Sequence, residues 1–228
     1  MSDAVPQERE SHSRRVWQLA WPSILSNLLF TTVGFMHIKI VAELGTSAVA
    51  AVTTGHRVFF LIQAILMGVS IAATAMISRA WGARDIRQAE MDTWTALTVS
   101  IALAAVLSLP ALLIPEQLAG LFGLDDETTR LAGTFIFWLG VFNVATAVNM
   151  MLQTALRATG DVITPLWILS FSTVLNISFG FCLAYGLGPL PAMGVAGVAL
   201  GGSSASTLVT IVFATLWWRG RFNLRPVK

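Results

Sequence analysis

The chain has 228 residues, of which 55% are hydrophobic and only 11% charged, and its mean hydropathy of +0.73 lies outside the range of a soluble globular domain. These values exclude a water-soluble domain and point to a membrane protein whose partner is the lipid bilayer. The isoelectric point near 9.2 is not accompanied by a stripe of interleaved basic and aromatic residues, so nucleic acid is not an expected partner.

A membrane-spanning helix needs about 20 mainly apolar residues. Six such windows occur, at 17–41, 58–78, 93–114, 131–155, 164–187 and 193–218. Helices are expected, because an unpaired backbone group in hydrocarbon is costly and the windows lack the alternation of a barrel strand. The predicted fold is all-α, a polytopic bundle of six transmembrane helices over 17–218. A cytoplasmic segment at 1–16 precedes it and a basic cytoplasmic tail at 219–228 follows. The opening MSDAVPQERESHSRR is too long and too acidic for a signal-peptide leader, so no segment is expected to be removed.

The first window ends in GFMHIKIVAELG, residues 34–45. Lys39 lies near the window's end, where its stem runs along apolar surface and lifts the ammonium to the headgroups. Glu43, four residues on, is placed to pair with it. His37 falls deeper and on a different face. Two roles stay open for it, a hydrogen bond to a neighbouring helix or the exchange of a proton. His56 stands beside Arg57 at the outer edge of the second window, and His12 lies in the N-terminal segment. Three scattered histidines make a poor metal site.

Polar residues recur inside the later windows: Gln63 in the second, Asn143, Asn149 and Gln153 in the fourth, Asn176 in the fifth, with Asn27 in the first. Singly, each reads as interhelical hydrogen-bond glue. As a set they read as the lining of a polar cleft formed by the first, second, fourth and fifth spans, and His37, Asn27, Gln63, Asn149, Gln153 and Asn176 are the candidate substrate and ion pathway. Between the fourth and fifth windows Gly160 and Pro165 end one helix and start the next, with Asp161 suited to the positive end of the fifth helix. Cys182, the single cysteine, is expected to serve packing. In GVAGVALGGSSAS, Gly194, Gly197, Gly201 and Gly202 recur at turns of the sixth helix, a surface on which another backbone can rest.

Basic residues fall on one side of a six-span arrangement. Arg9, Arg14 and Arg15 precede the first span, Arg79, Arg84 and Arg87 follow the second, Arg157 follows the fourth, and Arg219, Arg221, Arg225 and Lys228 follow the sixth. The opposite loops carry Glu43, Glu116, Asp125, Asp126 and Glu127 beside Arg57 and Arg130. By the positive-inside rule the basic side is cytoplasmic, which puts both termini inside a plasma membrane, the inner membrane in a bacterium. The sequence has no G-x-S-x-G elbow, no H-E-x-x-H, no paired cysteines and no phosphate-binding glycine loop. Neither an enzyme nor a cofactor is expected, and no residue is assigned a catalytic or metal-binding role.

Five stretches carry a family resemblance: LAWPSILSNLL, LGTSAVAAVTTG, AMISRAWGARDIRQAE, LQTALRATGDVITP and GLGPLPAMGVAGVAL. In order and spacing, from residue 19 to 218, the chain resembles the multidrug and toxic compound extrusion (MATE) family. That resemblance implies a secondary transporter that expels cationic or amphipathic compounds in exchange for protons or sodium ions. Members of the family carry two six-helix lobes in a chain of about twice this length, related as parallel repeats. The likeness here covers the N-terminal lobe only, so a second lobe, from a second copy or a separate chain, is an expected partner. The resemblance also points to two departures. The family pattern D-T-x-x-V-G-x-L-G, aligned on Leu44 and Gly45, puts His37 where an acid stands, and N-x-x-x-D is matched by Asn176 but has Gly180 in place of the acid. Sodium favours several oxygen ligands including a carboxylate, so a proton is the coupling ion expected through this lobe. The competing readings are a transport-inactive subunit or fragment, a flippase for lipid-linked oligosaccharides or polysaccharides, and a channel, for which no filter-like repeat is present.

Overall fold

In the computed structural model, residues 5–186 and 191–220 are described, with side chains for Trp17 and from residue 20 onward. Arg221, Arg225 and Lys228 of the tail, and the side chains of Arg9, His12, Arg14 and Arg15, lie outside what is described. Eight helices follow one another among the described residues: α1 (Val5–Ala42), α2 (Thr46–Gly82), α3 (Ile86–Leu113), α4 (Pro115–Gly120), α5 (Asp126–Val141), α6 (Asn143–Ala158), α7 (Ile163–Tyr185) and α8 (Gly194–Trp218). Five are long and apolar enough to cross a membrane: Ala20–Ala42 within α1, then α2, α3, α7 and α8. Helices α5 and α6 qualify together as a sixth span bent by 52°.

The second span begins at Thr46 rather than at 58. Gly45, with φ +107°, turns the chain in a conformation that residues with a Cβ rarely adopt, and α2 starts at once. The polar text TSAVAAVTTG stays helical because hydroxyls can bond within the helix, as Thr53 Oγ1 does to the Val49 carbonyl at 2.8 Å. His56 therefore stands within α2 and not at the start of the helix. The pairing expected of Lys39 with Glu43 does not form. Helix α1 ends at Ala42, so Glu43 leaves the i+4 register, and its carboxylate accepts from the Tyr185 hydroxyl at 3.1 Å. Between α6 and α7 Gly160 has φ +88°, and Asp161 Oδ1 accepts the Thr164 N–H at 3.0 Å, a cap at the start of α7.

The bend in the sixth span has a side chain to hold it. Asn143 is fully buried at the break, and its amide donates to the Ala104 carbonyl at 3.2 Å and to Ser108 Oγ at 3.0 Å, both on α3. At the acidic end of the lobe, Asp125 caps α5 by accepting the Thr128 N–H at 3.1 Å, and the hydrogen bonds from Thr128 hold its carboxyl below the ordinary aspartate range. The opposite end gathers Arg79, Arg84, Arg87, Arg157 and Arg219 at the helix ends. Two links tie that end together, Ser78 Oγ to the Ala158 carbonyl at 3.2 Å and the stacked rings of Trp94 and Trp217, 5.9 Å apart.

Helices α7 and α8 pack more extensively than any other pair, and glycine makes this approach feasible. A Cβ on Gly197 would overlap the carbonyl of Leu183, and one on Gly201 the carbonyl of Phe179. The glycine surface predicted for the sixth span therefore meets backbone, as expected of small residues at membrane helix interfaces. Ile40 and Val41 of α1 join Val52, Phe135, Val195 and Val198 in one buried apolar cluster. A second cluster, containing Ile77, Met151, Leu152, Phe213 and Trp217, occupies the arginine-rich end. Replacing Gly201 with valine should drive α7 from α8 and lower stability by about 1–3 kcal/mol, the usual cost of overpacking. Gly68, where an added Cβ would meet nothing within 4 Å, should accept valine with a much smaller loss. Thermal unfolding of both variants in the same detergent checks this, and equal melting would remove the close-packing argument.

Candidate ion and substrate pathway

His37 is buried in α1, 5% exposed, with its Nε2 2.8 Å from Asn176 Oδ1 on α7. The direction of this bond follows from the other side of the amide. Asn176 Nδ2 donates to the Gly202 carbonyl at 2.8 Å and to Ser206 Oγ at 3.0 Å, both on α8. A carbonyl only accepts, so the Asn176 oxygen faces His37 and takes its Nε2–H. The neutral ring then carries its lone pair on Nδ1, which is buried and has no hydrogen-bond partner. This nitrogen is the basic atom of the site.

The His37 ring does not stand alone. His56 of α2 stacks on it with centroids 5.6 Å apart and an interplanar angle of 11°, and forms a T-shaped pair with Phe135 of α5, centroids 5.1 Å apart. The histidines expected to be scattered thus include a pair. The hydropathy pattern hid it, because residues 46–57, outside the predicted windows, form the first part of α2.

A second set of polar groups approaches from the arginine-rich end. Arg157 Nη2 donates to Gln153 Oε1 at 3.0 Å, Gln153 Nε2 donates to Asn149 Oδ1, and Asn149 Nδ2 donates to Thr210 Oγ1 at 2.9 Å. Thr210 Oγ1 in turn donates to the Ser206 carbonyl at 2.9 Å. Two runs of hydrogen bonds therefore meet at Ser206, one from Arg157 through α6 to its backbone carbonyl and one from His37 through Asn176 to its hydroxyl, and together they form a polar seam. Of the six residues predicted to line the pathway, it unites His37, Asn149, Gln153 and Asn176.

Asn27 and Gln63 are outside the seam. Asn27 is exposed on α1 and donates to the Ser23 carbonyl at 3.1 Å one turn earlier, so its amide is satisfied within its own helix. Gln63 is half-buried, and its Oε1 is buried with no partner. Asn143 serves the bend, and Cys182 is half-buried on α7. Sequence reading assigned Gly202 only to packing and gave Ser206 and Thr210 no role of their own, and it also missed Arg157 and His56. A usable signal was present in the spacing. Asn149, Gln153 and Arg157 recur every four residues, as do Gly202, Ser206 and Thr210, which puts each trio on one helical face.

An interhelical hydrogen bond in a membrane contributes about 0.6 kcal/mol on average. The seam consequently adds little to stability beside the apolar clusters. What it adds is a polar junction, in which the Asn176 carboxamide joins α1 to both α7 and α8. Nδ1 of His37 faces no hydrogen-bond partner among the described residues.

The profile of the MatE family matches residues 22–182. This chain belongs to the MatE family. Curated relatives include the probable multidrug resistance protein YoeA of Bacillus subtilis, 27% identical over 88% of this chain and 43% of its own. The probable multidrug resistance protein NorM of Bradyrhizobium diazoefficiens is 28% identical over 92% and 45%. Among solved structures, the MATE transporter VcmN of Vibrio cholerae in its bent form superimposes with a TM-score of 0.83 at 21% identity, covering 93% of this chain and 48% of that one. The fold is thus that of one lobe of a MATE transporter, and the chain spans about half the length of the curated relatives it matches. The two positions at which the resemblance set His37 against an acid and matched Asn176 lie in direct hydrogen-bond contact.

Proposed function

We propose that this chain forms one half of a secondary active multidrug exporter, in which cationic or amphipathic compounds leave in exchange for protons. The observation that carries the reading is the lone pair on Nδ1 of His37, buried without a partner at the end of a hydrogen-bonded seam. An unperturbed imidazole titrates near 6.5, so a histidine here can exchange a proton where the resemblance has a carboxylate. The seam contains no carboxylate, and sodium would lack the charged oxygen ligand it favours. Membership of a transporter family, and relatives that carry the name of multidrug resistance proteins, support export as the activity. They also make a catalytic role foreign to the family.

The exporter needs a second six-helix lobe. In transporters built from repeats the substrate site lies between the repeats, and this lobe supplies one wall. A second copy or a separate chain takes the other side. With six spans, both ends of the bundle's chain emerge on one side, so two copies can stand side by side in the same orientation. The arginine-rich end faces the cytoplasm by the positive-inside rule, in a plasma membrane that would be the inner membrane of a bacterium.

Two measurements test these statements. In proteoliposomes with a pH gradient, His37→Ala should lower drug export by about tenfold while Lys39→Ala keeps it within a factor of about two. The mass of the exporting particle is read on the same sample. Full export by the His37→Ala form would reduce the residue to packing, and a monodisperse exporting monomer would remove the two-lobe requirement. For orientation, single cysteines are placed in a Cys182→Ser background. Asp126→Cys should react with an impermeant maleimide added to intact cells, and Arg84→Cys should not; the opposite pattern would invert the topology.

A further inference from the structure

The stack of His37 on His56 is held by the packing around it. Gly55 lets α2 approach α5 so closely that a Cβ there would overlap the Phe135 ring, and the next residue, His56, is set between Phe135 and His37. Ile40 and Val41, one turn beyond His37, pack in the same cluster as Val52, one turn before His56, and Phe135. From α7, Asn176 takes the Nε2–H of His37. Two rings that can each become imidazolium therefore face one another in largely apolar surroundings, with centroids 5.6 Å apart. These contacts lie inside the lobe, where His37 is buried, and do not depend on what closes the cleft.

The charges around the pair decide how many protons it holds. Packed against it are Phe135 of α5 and Asn176 of α7, both uncharged. The cations next to it on its own helices are Lys39 and Arg57, both exposed. No aspartate or glutamate occurs in Ala20–Ala42 of α1 or in α2, α7 or α8. Those of α5, Asp126 and Glu127, stand in its first turn, about 12 Å or more along the helix from Phe135. A first imidazolium here has no carboxylate to neutralise it. A second, at the separation of the stacked rings, would be opposed by the equivalent of roughly two pH units at an effective dielectric constant near 20. We propose that His37 and His56 form one site that holds a single exchangeable proton, with His56 as a second proton-binding residue of the pathway. Either ring carries it, His56 in the wall of the groove of about 570 Å³ on α1 and α2 or His37 on its buried Nδ1, and the other ring is then neutral. This rests on the reading of His37 as a proton-exchanging residue, and it sets one coupling proton for this lobe.

Nitrogen-15 spectra of the histidine-labelled full chain in detergent, recorded from about pH 8 to about pH 5 around the ordinary imidazole value, count the protons ring by ring. His56→Phe, which keeps a ring on Phe135, and His37→Gln assign the two signals. In the wild-type chain one ring should become imidazolium, and the protonated fractions of His37 and His56 should sum to no more than one. The ring that stays neutral in the wild-type chain should take the proton once its partner is replaced, its ratio of protonated to neutral form rising by up to about a hundredfold at a fixed pH. A packing role for His56 would move neither titration. Two imidazolium rings in the wild-type chain, none in any form, or remaining rings that titrate in both variants as they do in the wild type would each overturn the proposal. The count needs neither drug nor second lobe, so an intact one-proton count without export would fault the exporter reading alone.

Discussion

Inside a bilayer a polar side chain has only protein to bond with, and in this lobe the carboxamide of Asn176 is where that requirement joins three helices. Its oxygen takes the Nε2–H of His37 from α1, while its amide reaches the Gly202 carbonyl and the Ser206 hydroxyl of α8. The junction depends on the backbone approach that Gly197 and Gly201 permit, since a bulkier α8 surface would hold Gly202 away from α7. Close packing comes first, and the polar junction then joins α1 to the pair. Once α1 is placed, the apolar cluster around Val41, Val52 and Phe135 brings α2 alongside, and His56 comes to rest on His37.

The direction of the hydrogen bonds bears on mechanism. Donors run from Arg157 through Gln153, Asn149 and Thr210 toward Ser206, and from His37 through Asn176 toward the same residue. Both runs end on α8, so a change in the charge of His37 acts first on Asn176 and then on the α7–α8 unit. Interhelical bonds of modest strength suit such an element.

Much of this architecture is legible in the amino-acid sequence. Five span assignments need only small adjustments at their ends, because hydropathy over about 20 residues reports burial in lipid directly. The glycines of α8 are also readable, since close backbone approach has a compositional signature. The reading falls short where polar residues are satisfied inside a helix. Thr53 and its neighbours resemble a loop, so the predicted second span starts later than helix α2 does. Asn27, read as a pathway residue, stands exposed outside the seam, with its amide nitrogen bonded to its own helix. The pairing of His37 with Asn176 joins positions 139 apart in the chain, and no local pattern announces a contact between spans. The four-residue spacing on α6 and α8 identifies two polar faces, but only the packing brings them together.

The tautomer of His37 carries the central claim, because the direction of the Asn176 junction and the position of the free lone pair both depend on it. Nitrogen-15 spectra of histidine-labelled protein in detergent, assigned by the signal lost in His37→Ala, read it directly in the neutral ring. The account predicts a proton on Nε2, a bare Nδ1, and a shift of the Nε2 signal when Asn176 is replaced by leucine. A proton on Nδ1, or a His37 signal indifferent to Asn176→Leu, would contradict it.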